Sequence, residues 1–434
     1  MEKKKLLILA YDFPPYISVG GLRPFAWFKY LDQEKWEITV VTRFWDKEVV
    51  NAVDCVKPTS IKKVHFTNEP EGAVYRIPFA PNFRDKILLK FGFGKFVLLR
   101  RVMSFFIDLL KHYFFQFDKY SEIYRVSDKL LSENKFDVIL ATGEPFVLFK
   151  YAHLLSAKHN VKWVADYRDG WTTNQKKEKL SKPEFILNEV FKKLEKKYMS
   201  NVSLITTAAP SYKKELLKLF PTKAMEVVFN GYLEDHSVFD MIQKSNIKPD
   251  FFEISYVGTL YPHQNVELFL EGVRLLVEEL DLKKGQIIVN FIGMNFYERQ
   301  KERVLRYSDE LKEFIKFTDK LNFYDLHSEL QKASILLLLT KKHLDWLNAK
   351  IFDYILSNKR VMIAENDLGI MEEILKDVNN TASFCNNSKD VYLELKEAYL
   401  EFQDKGYLSN TNTNLEHYTR RYQTQILADL LIEI

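Results

Sequence analysis

The chain has 434 residues, 47% of them hydrophobic and 28% charged, which supplies apolar material for sizeable cores and is too long for one ordinary domain. Its 63 basic against 59 acidic residues leave a formal charge of +4, too small to argue for a nucleic-acid partner, so any basic function has to be local. The two cysteines, Cys55 and Cys385, are far apart in sequence, which excludes a disulfide framework and suits a reducing compartment, so the expected location is cytoplasmic.

At the N-terminus, MEKKKLLILAYDF sets lysines before an apolar run as a signal peptide does. The run stops at Tyr11 and Asp12, however, and reads as a first buried strand. Nowhere do about 18 apolar residues run uninterrupted, so no membrane-spanning helix is expected. Short apolar runs then alternate with amphipathic segments: LLILAYDF, EITVVT, DVILATG, VKWVADY, LITTA and EVVFNG form a first series. EISYVG, QIIVNFIG, LNFYD, ASILLLLT and RVMIAEN form a second, with helical patterns such as NVELFLEGVRLLVEEL between them. Continuous apolar strands alternating with helices predict parallel sheets covered on both faces. The fold class is therefore α/β, with two doubly wound Rossmann-like domains facing across a cleft. The polar segment MIQKSNIKPDF marks the seam, giving domains over 1–240 and 241–410. In the last part of the chain, 411–434, the segment LEHYTRRYQTQILADLLIEI after the polar SNTNTN reads as a closing amphipathic helix that packs back toward the N-terminal domain.

In open α/β sheets ligands bind beyond the carboxyl ends of strands, where strand order reverses. Gly20, Gly21, Glu144, Asp169, Asn230 and Gly258 fall in such places, as does the triplet Asp345, Lys350 and Asp353 just past ASILLLLT. Each alone is explained by a turn or a cap; their joint placement points to a ligand site. The glycine pair lets backbone approach an anion closely, Pro24 suits a first helical turn, and Arg23 either reaches a phosphate or caps the surface. Carboxylates such as Asp345 and Asp353 accept hydrogen bonds from adjacent hydroxyls. A helix starting near Asn348 would add its N–H groups to Lys350 as a diphosphate site. The alternative is an ordinary Asn cap with a Lys350–Asp353 surface pair. In DYRDGW, Asp169 would orient an acceptor or a sugar and Trp171 would offer an apolar platform, unless Arg168 and Asp169 form a structural pair.

The motifs FPPYISVGGLRP, VADYRDGW, VVFNGY, ISYVGTLYPHQNVELFL and KIFDYILSNKRVM, in that order, resemble retaining glycosyltransferases of the GT-B fold, in the glycosyltransferase family 4 group. The resemblance covers nearly the whole chain. It implies transfer of a sugar from a nucleoside diphosphate sugar to an acceptor hydroxyl, in the building of surface polysaccharide or glycolipid such as lipopolysaccharide or capsule. The first domain would bind the acceptor, a glycan or lipid-linked molecule, and the second the donor. Two glutamates eight residues apart in the family's second domain are matched here by Asp345 and Asp353, each one methylene shorter. Asp345 would then hold hydroxyls of the donor sugar and Asp353 those of the ribose. Gly20, Gly21, Arg23, Gly258, Thr259 and Lys350 would complete the donor site, with Asp169 and Asp345 in the catalytic roles.

Three departures stand out. Gly170 takes the place of the proline in the RDPW that relatives often have, and Thr259 and Asn265 stand where many relatives place an arginine and a lysine on the diphosphate. Two charge-assisted bonds are thereby lost, and Lys350, His263 or Arg23 would have to compensate. The loss keeps a non-catalytic subunit of the same fold as an alternative, beside a sugar-nucleotide isomerase. The sequence contains no Asp-x-Asp triplet, no HExxH and no paired-Cys spacing, so neither a metal nor another cofactor is expected. Leaving-group charge would fall to helix N-termini and cations. The family implies front-face displacement, with the leaving phosphate assisting deprotonation of the acceptor.

One segment has an unusual composition. FRDKILLKFGFGKFVLLRRVMSFFIDLLKHYFFQF sets Arg84, Lys86, Lys90, Lys95, Arg100, Arg101 and Lys111 among many Phe and Leu, opposed only by Asp85 and Asp108. That mixture suits peripheral contact with an anionic membrane at its inner face. The alternative is a core helix with snorkelling lysines.

Overall fold

The computed structural model describes residues 2–16, 18–46, 49, 53–173, 182–244, 249, 251–294, 298–340, 347–366 and 368–434. The chain forms two compact units, Met1–Asn230 with Arg420–Ile434, and Gly231–Thr419.

In the first unit, β1 (Lys4–Leu9), β2 (Trp36–Arg43), β3 (His65–Glu69), β4 (Gly72–Ile77), β5 (Val138–Gly143), β6 (Lys162–Tyr167), β7 (Leu204–Thr207) and β8 (Met225–Val227) make one sheet. Its order is β3-β4-β2-β1-β5-β6-β7-β8, and every pair is parallel except β3–β4. Strand β1 shows why a continuous apolar run is needed. Leu7 and Leu9 enter one core with Ile139 and Trp163, while Leu6 and Ile8 enter another with Trp27 and Phe28. Side chains alternate across a strand, so a sheet covered on both faces takes an apolar residue at every position. The last helix, Arg420–Glu433, belongs to this unit and puts Leu427, Ala428 and Leu431 into the second of those cores.

In the second unit, β9 (Phe252–Val257), β10 (Ile287–Ile292), β11 (Ile315–Thr318), β12 (Ile335–Leu339), β13 (Arg360–Ala364) and β14 (Ser383–Cys385) form an all-parallel sheet ordered β11-β10-β9-β12-β13-β14. One sequence expectation is corrected here. LNFYD is not a strand: Asn322 caps the helix Phe323–Lys332, accepting from the Asp325 N–H at 3.0 Å, and the strand is the preceding IKFT. Both units are Rossmann-like, with strand order reversing between β1 and β5 in the first and between β9 and β12 in the second.

Candidate functional site

The reversal in the second unit is bordered by Gly258 beyond β9 and Lys350 beyond β12. Gly258 has a left-handed φ of +82°, and a Cβ there would stand 3.1 Å from Cε of Lys350, so backbone and neighbour both call for glycine. Lys350 opens the seven-residue helix Lys350–Leu356, and its backbone N–H donates to Asn348 Oδ1 at 3.2 Å. Asn348 is nevertheless not the cap of this helix: the N-cap residue is Ala349, which makes no side-chain cap. The Lys350–Asp353 surface pair is absent too: the Lys350 ammonium lies 3.4 Å from the Thr259 carbonyl and 3.9 Å from the centre of the Tyr256 ring. Among the described residues it makes no ion pair. Desolvation pushes its pKa down to about 7, as expected of a half-buried cation with no counter-charge among the described residues.

Asp353 lies on the same short helix, with its carboxylate 3.8 Å from Nε2 of His327. His327 is fully buried, and neither ring nitrogen has a hydrogen-bond partner among the described residues. Burial lowers its pKa against the opposing pull of Asp353 and Asp235. Sequence reasoning missed His327, because the segment leading into its helix reads as a strand. Thr259 acts through its carbonyl, which accepts from the Tyr256 hydroxyl at 2.8 Å as well as facing Lys350. Asn265 caps the helix Val266–Glu279, accepting from the Leu268 N–H at 3.3 Å. The two positions where relatives place cations therefore serve the fold. Asp345 lies outside the described residues.

At the reversal in the first unit, Ser18 caps the helix Val19–Tyr30 by accepting from the Gly21 N–H at 2.9 Å. The helix begins early enough to put Pro24 in its interior rather than its first turn. A Cβ on Gly20 would come within 1.1 Å of Nη1 of Arg168, so the glycine is covered by that guanidinium and is not an open backbone surface. Arg168 donates to the Glu144 carbonyl at 3.2 Å and lies 3.6 Å from the Asp12 carboxylate, whose pKa burial raises. Its ion pair is with Asp12 rather than Asp169, and Asp169 accepts from the Tyr212 hydroxyl at 3.4 Å. Trp171 stacks on Phe146 and on His112 within a cluster of rings.

Arg23 fits neither of its expected roles. It is 3% exposed, and its Nε and Nη2 donate to Asp166 while Nη1 donates to the carbonyls of Val228 and Phe229. Thr142 and Thr206 donate to the same Asp166 carboxylate at 2.9 and 2.8 Å. With its donors committed inside the protein, Arg23 ties its helix to β6 and the end of β8. It is not placed to meet a phosphate.

No protein-family model and no curated protein matches the chain. Among solved structures it is similar to the HepE protein of Anabaena in complex with UDP and glucose, at 12% identity and a TM-score of 0.56, covering 99% of this chain and 100% of that one. It is similar to an α,α-trehalose 6-phosphate synthase from Burkholderia multivorans, at 12% identity and TM-score 0.62, over 100% and 97% of the two chains. A sucrose-phosphate synthase from Thermosynechococcus elongatus gives 12% identity and 0.60, over 99% and 97%. At these identities the likeness shows the fold, which is GT-B.

Proposed function

We propose that the protein is a glycosyltransferase of the family 4 group, moving a hexosyl unit from a nucleoside diphosphate sugar to the hydroxyl of a glycan or lipid-linked acceptor, with retention. The observation that carries the reading is the Lys350 ammonium, set beside left-handed Gly258 at the strand-order reversal with no ion pair among the described residues. A half-buried cation with no ion pair among the described residues is costly to desolvate, and an arriving diphosphate would offset that cost. Asp353, three residues along, would accept from ribose hydroxyls. Asp345 would take the donor-sugar hydroxyls. In the first unit Asp169 would orient the acceptor, while Gly20 and Gly21 seat Arg168 and the Ser18 cap. The company of a UDP-bound structure and two sugar-phosphate synthases supports a nucleoside diphosphate donor. Surface polysaccharide or glycolipid synthesis, as in lipopolysaccharide or capsule, at the cytoplasmic face of a membrane, is the setting we assign. Because the sequence lacks an Asp-x-Asp triplet, transfer is proposed to need no divalent metal.

The test begins with a thermal-shift screen against UDP, GDP and their sugars. Lys350→Ala and Asp353→Ala should each weaken binding of the nucleotide so found by roughly 1.5–3 kcal/mol, the range for hydrogen bonds to charged groups, without loss of fold. Unchanged affinity in both variants moves the site elsewhere. Transfer should survive excess EDTA; activity abolished by EDTA and restored by manganese contradicts the metal-free reading. The structural employment of Thr259 and Asn265 favours one competitor, a non-catalytic subunit, which would neither bind nor slowly hydrolyse a nucleotide sugar.

A further inference from the structure

Residues 83–117 of the first unit carry twelve of the 25 exposed large apolar side chains found among the described residues, in less than a tenth of the chain. They are concentrated on the helices Phe83–Phe91 and Val97–Tyr113 and on the turn between them. Along the second helix Leu98, Val102 and Phe106 are exposed at four-residue spacing, which puts them on one face, while Arg100 and His112 are buried. Leu98 is 76% exposed, far beyond what a core helix with snorkelling lysines would leave in water.

The charges on this surface are of one sign. Lys86, Lys90, Lys95 and Arg101 are exposed. Both acids of the stretch are neutralised locally: Asp85 is buried between Arg84 at 3.0 Å and Lys119 at 2.9 Å, and Asp108 pairs with Lys111 at 2.7 Å. Arg100 has a different task from the other cations. Its guanidinium donates to the backbone carbonyls of Phe93 and Lys95, fixing the turn that presents Phe93 and Phe96, and Phe91 packs edge-on to Phe96 at 4.9 Å. The apolar tip is therefore ordered before it meets anything, which lowers the entropy cost of docking.

We infer that residues 83–117 form a docking surface for an anionic lipid bilayer, lying in its headgroup region with the aromatic and leucine side chains inserted and the four cations on the lipid phosphates. Exposed apolar side chains interleaved with cations match both layers of such a surface. A second copy of the chain matches poorly, since a two-fold interface would set these cations against their own counterparts. No described helix is long and apolar enough to cross a membrane, so the contact is peripheral. The inference goes beyond sugar transfer and does not depend on it.

The experiment is co-sedimentation of the full chain with vesicles of phosphatidylcholine, with and without phosphatidylglycerol, at low and high salt. Wild type should partition onto the anionic vesicles, less so as salt screens the charges. One variant combines Lys86→Glu, Lys90→Glu, Lys95→Glu and Arg101→Glu; another combines Leu98→Ser, Val102→Ser and Phe106→Ser. Each should lower the partition by about tenfold or more while keeping the wild-type melting temperature. If one variant fails to fold, the other decides. Wild type that ignores vesicles, binds neutral and anionic ones equally, or instead self-associates through the Leu98 face overturns the proposal. Nucleotide affinity measured on the same samples separates a failure here from a failure of the transferase reading.

Discussion

The two strand-order reversals hold cations under opposite conditions. In the first unit the Arg23 guanidinium is matched by the Asp166 carboxylate and two backbone carbonyls, and Arg168 has Asp12. In the second, Lys350 has a carbonyl and an aromatic ring. A buried charge whose hydrogen bonds close within the protein is a structural tie, and a ligand would have to break it in order to bind. A desolvated charge with no carboxylate beside it among the described residues is poised for an anion from outside. The same sequence signal, a basic residue just past a strand, therefore has different meanings, and the partner decides which.

Removing partners should expose the difference most strongly in the first unit. Asp166→Ala leaves Arg23 buried and uncompensated and should cost about 3–5 kcal/mol of stability, read from denaturant unfolding. Lys350→Met should leave stability unchanged or raised, because it removes a desolvated cation, while nucleotide binding falls; a large loss of stability would make Lys350 a structural residue like Arg23. The pH dependence sharpens the contrast. The folded pKa of Lys350, about 7, lies below its ordinary value, so the folded state holds fewer protons than the unfolded one above pH 7, and this residue's contribution to stability rises with pH from 7 toward 10. Nucleotide binding needs the charged form, so affinity should fall above pH 7 by up to about tenfold per pH unit. Lys350→Arg, whose cation does not titrate, should flatten the profile measured by calorimetry. The smallest effect is expected at Asn265: Asn265→Ala should cost about 1 kcal/mol of stability as a lost helix cap and leave nucleotide affinity alone. A drop in affinity there would give Asn265 a part in the donor site.

What could be read from the sequence followed burial. Strand β12 and the Leu6–Leu9 run of β1 are apolar at every position because both sheet faces are covered, and such runs identify themselves, although β9 alternates its apolar residues with the buried Glu253 and Ser255. The β3–β4 hairpin does not: HFTNE and GAVYRI lie at the sheet edge, mostly partly exposed, and carry no continuous apolar signal. LNFYD was misleading because an Asn cap followed by aromatic residues resembles a short strand in composition. At the candidate site, position was legible and pairing was not. Lys350 is conspicuous beyond ASILLLLT, but its depth against Gly258 depends on a residue 92 positions earlier. Arg23 looks like a phosphate ligand until Asp166, 143 residues away, is found against it. In the segment 84–111, counting seven cations overstated the basic surface, since Arg84, Arg100 and Lys111 are spent on internal contacts.

The closing helix has a consequence for biosynthesis. Leu427, Ala428 and Leu431 fill a core lined by Leu6 and Ile8, so during synthesis that face of β1 waits for a helix about 400 residues further along before it is sealed. The second unit, which lies between them in sequence, can finish folding first. Until Arg420–Ile434 emerges, the nascent first unit exposes an apolar groove, which makes it the natural client of a chaperone during synthesis. A ribosome stalled before residue 420 should leave that groove open to protease, and emergence of Arg420–Ile434 should close it.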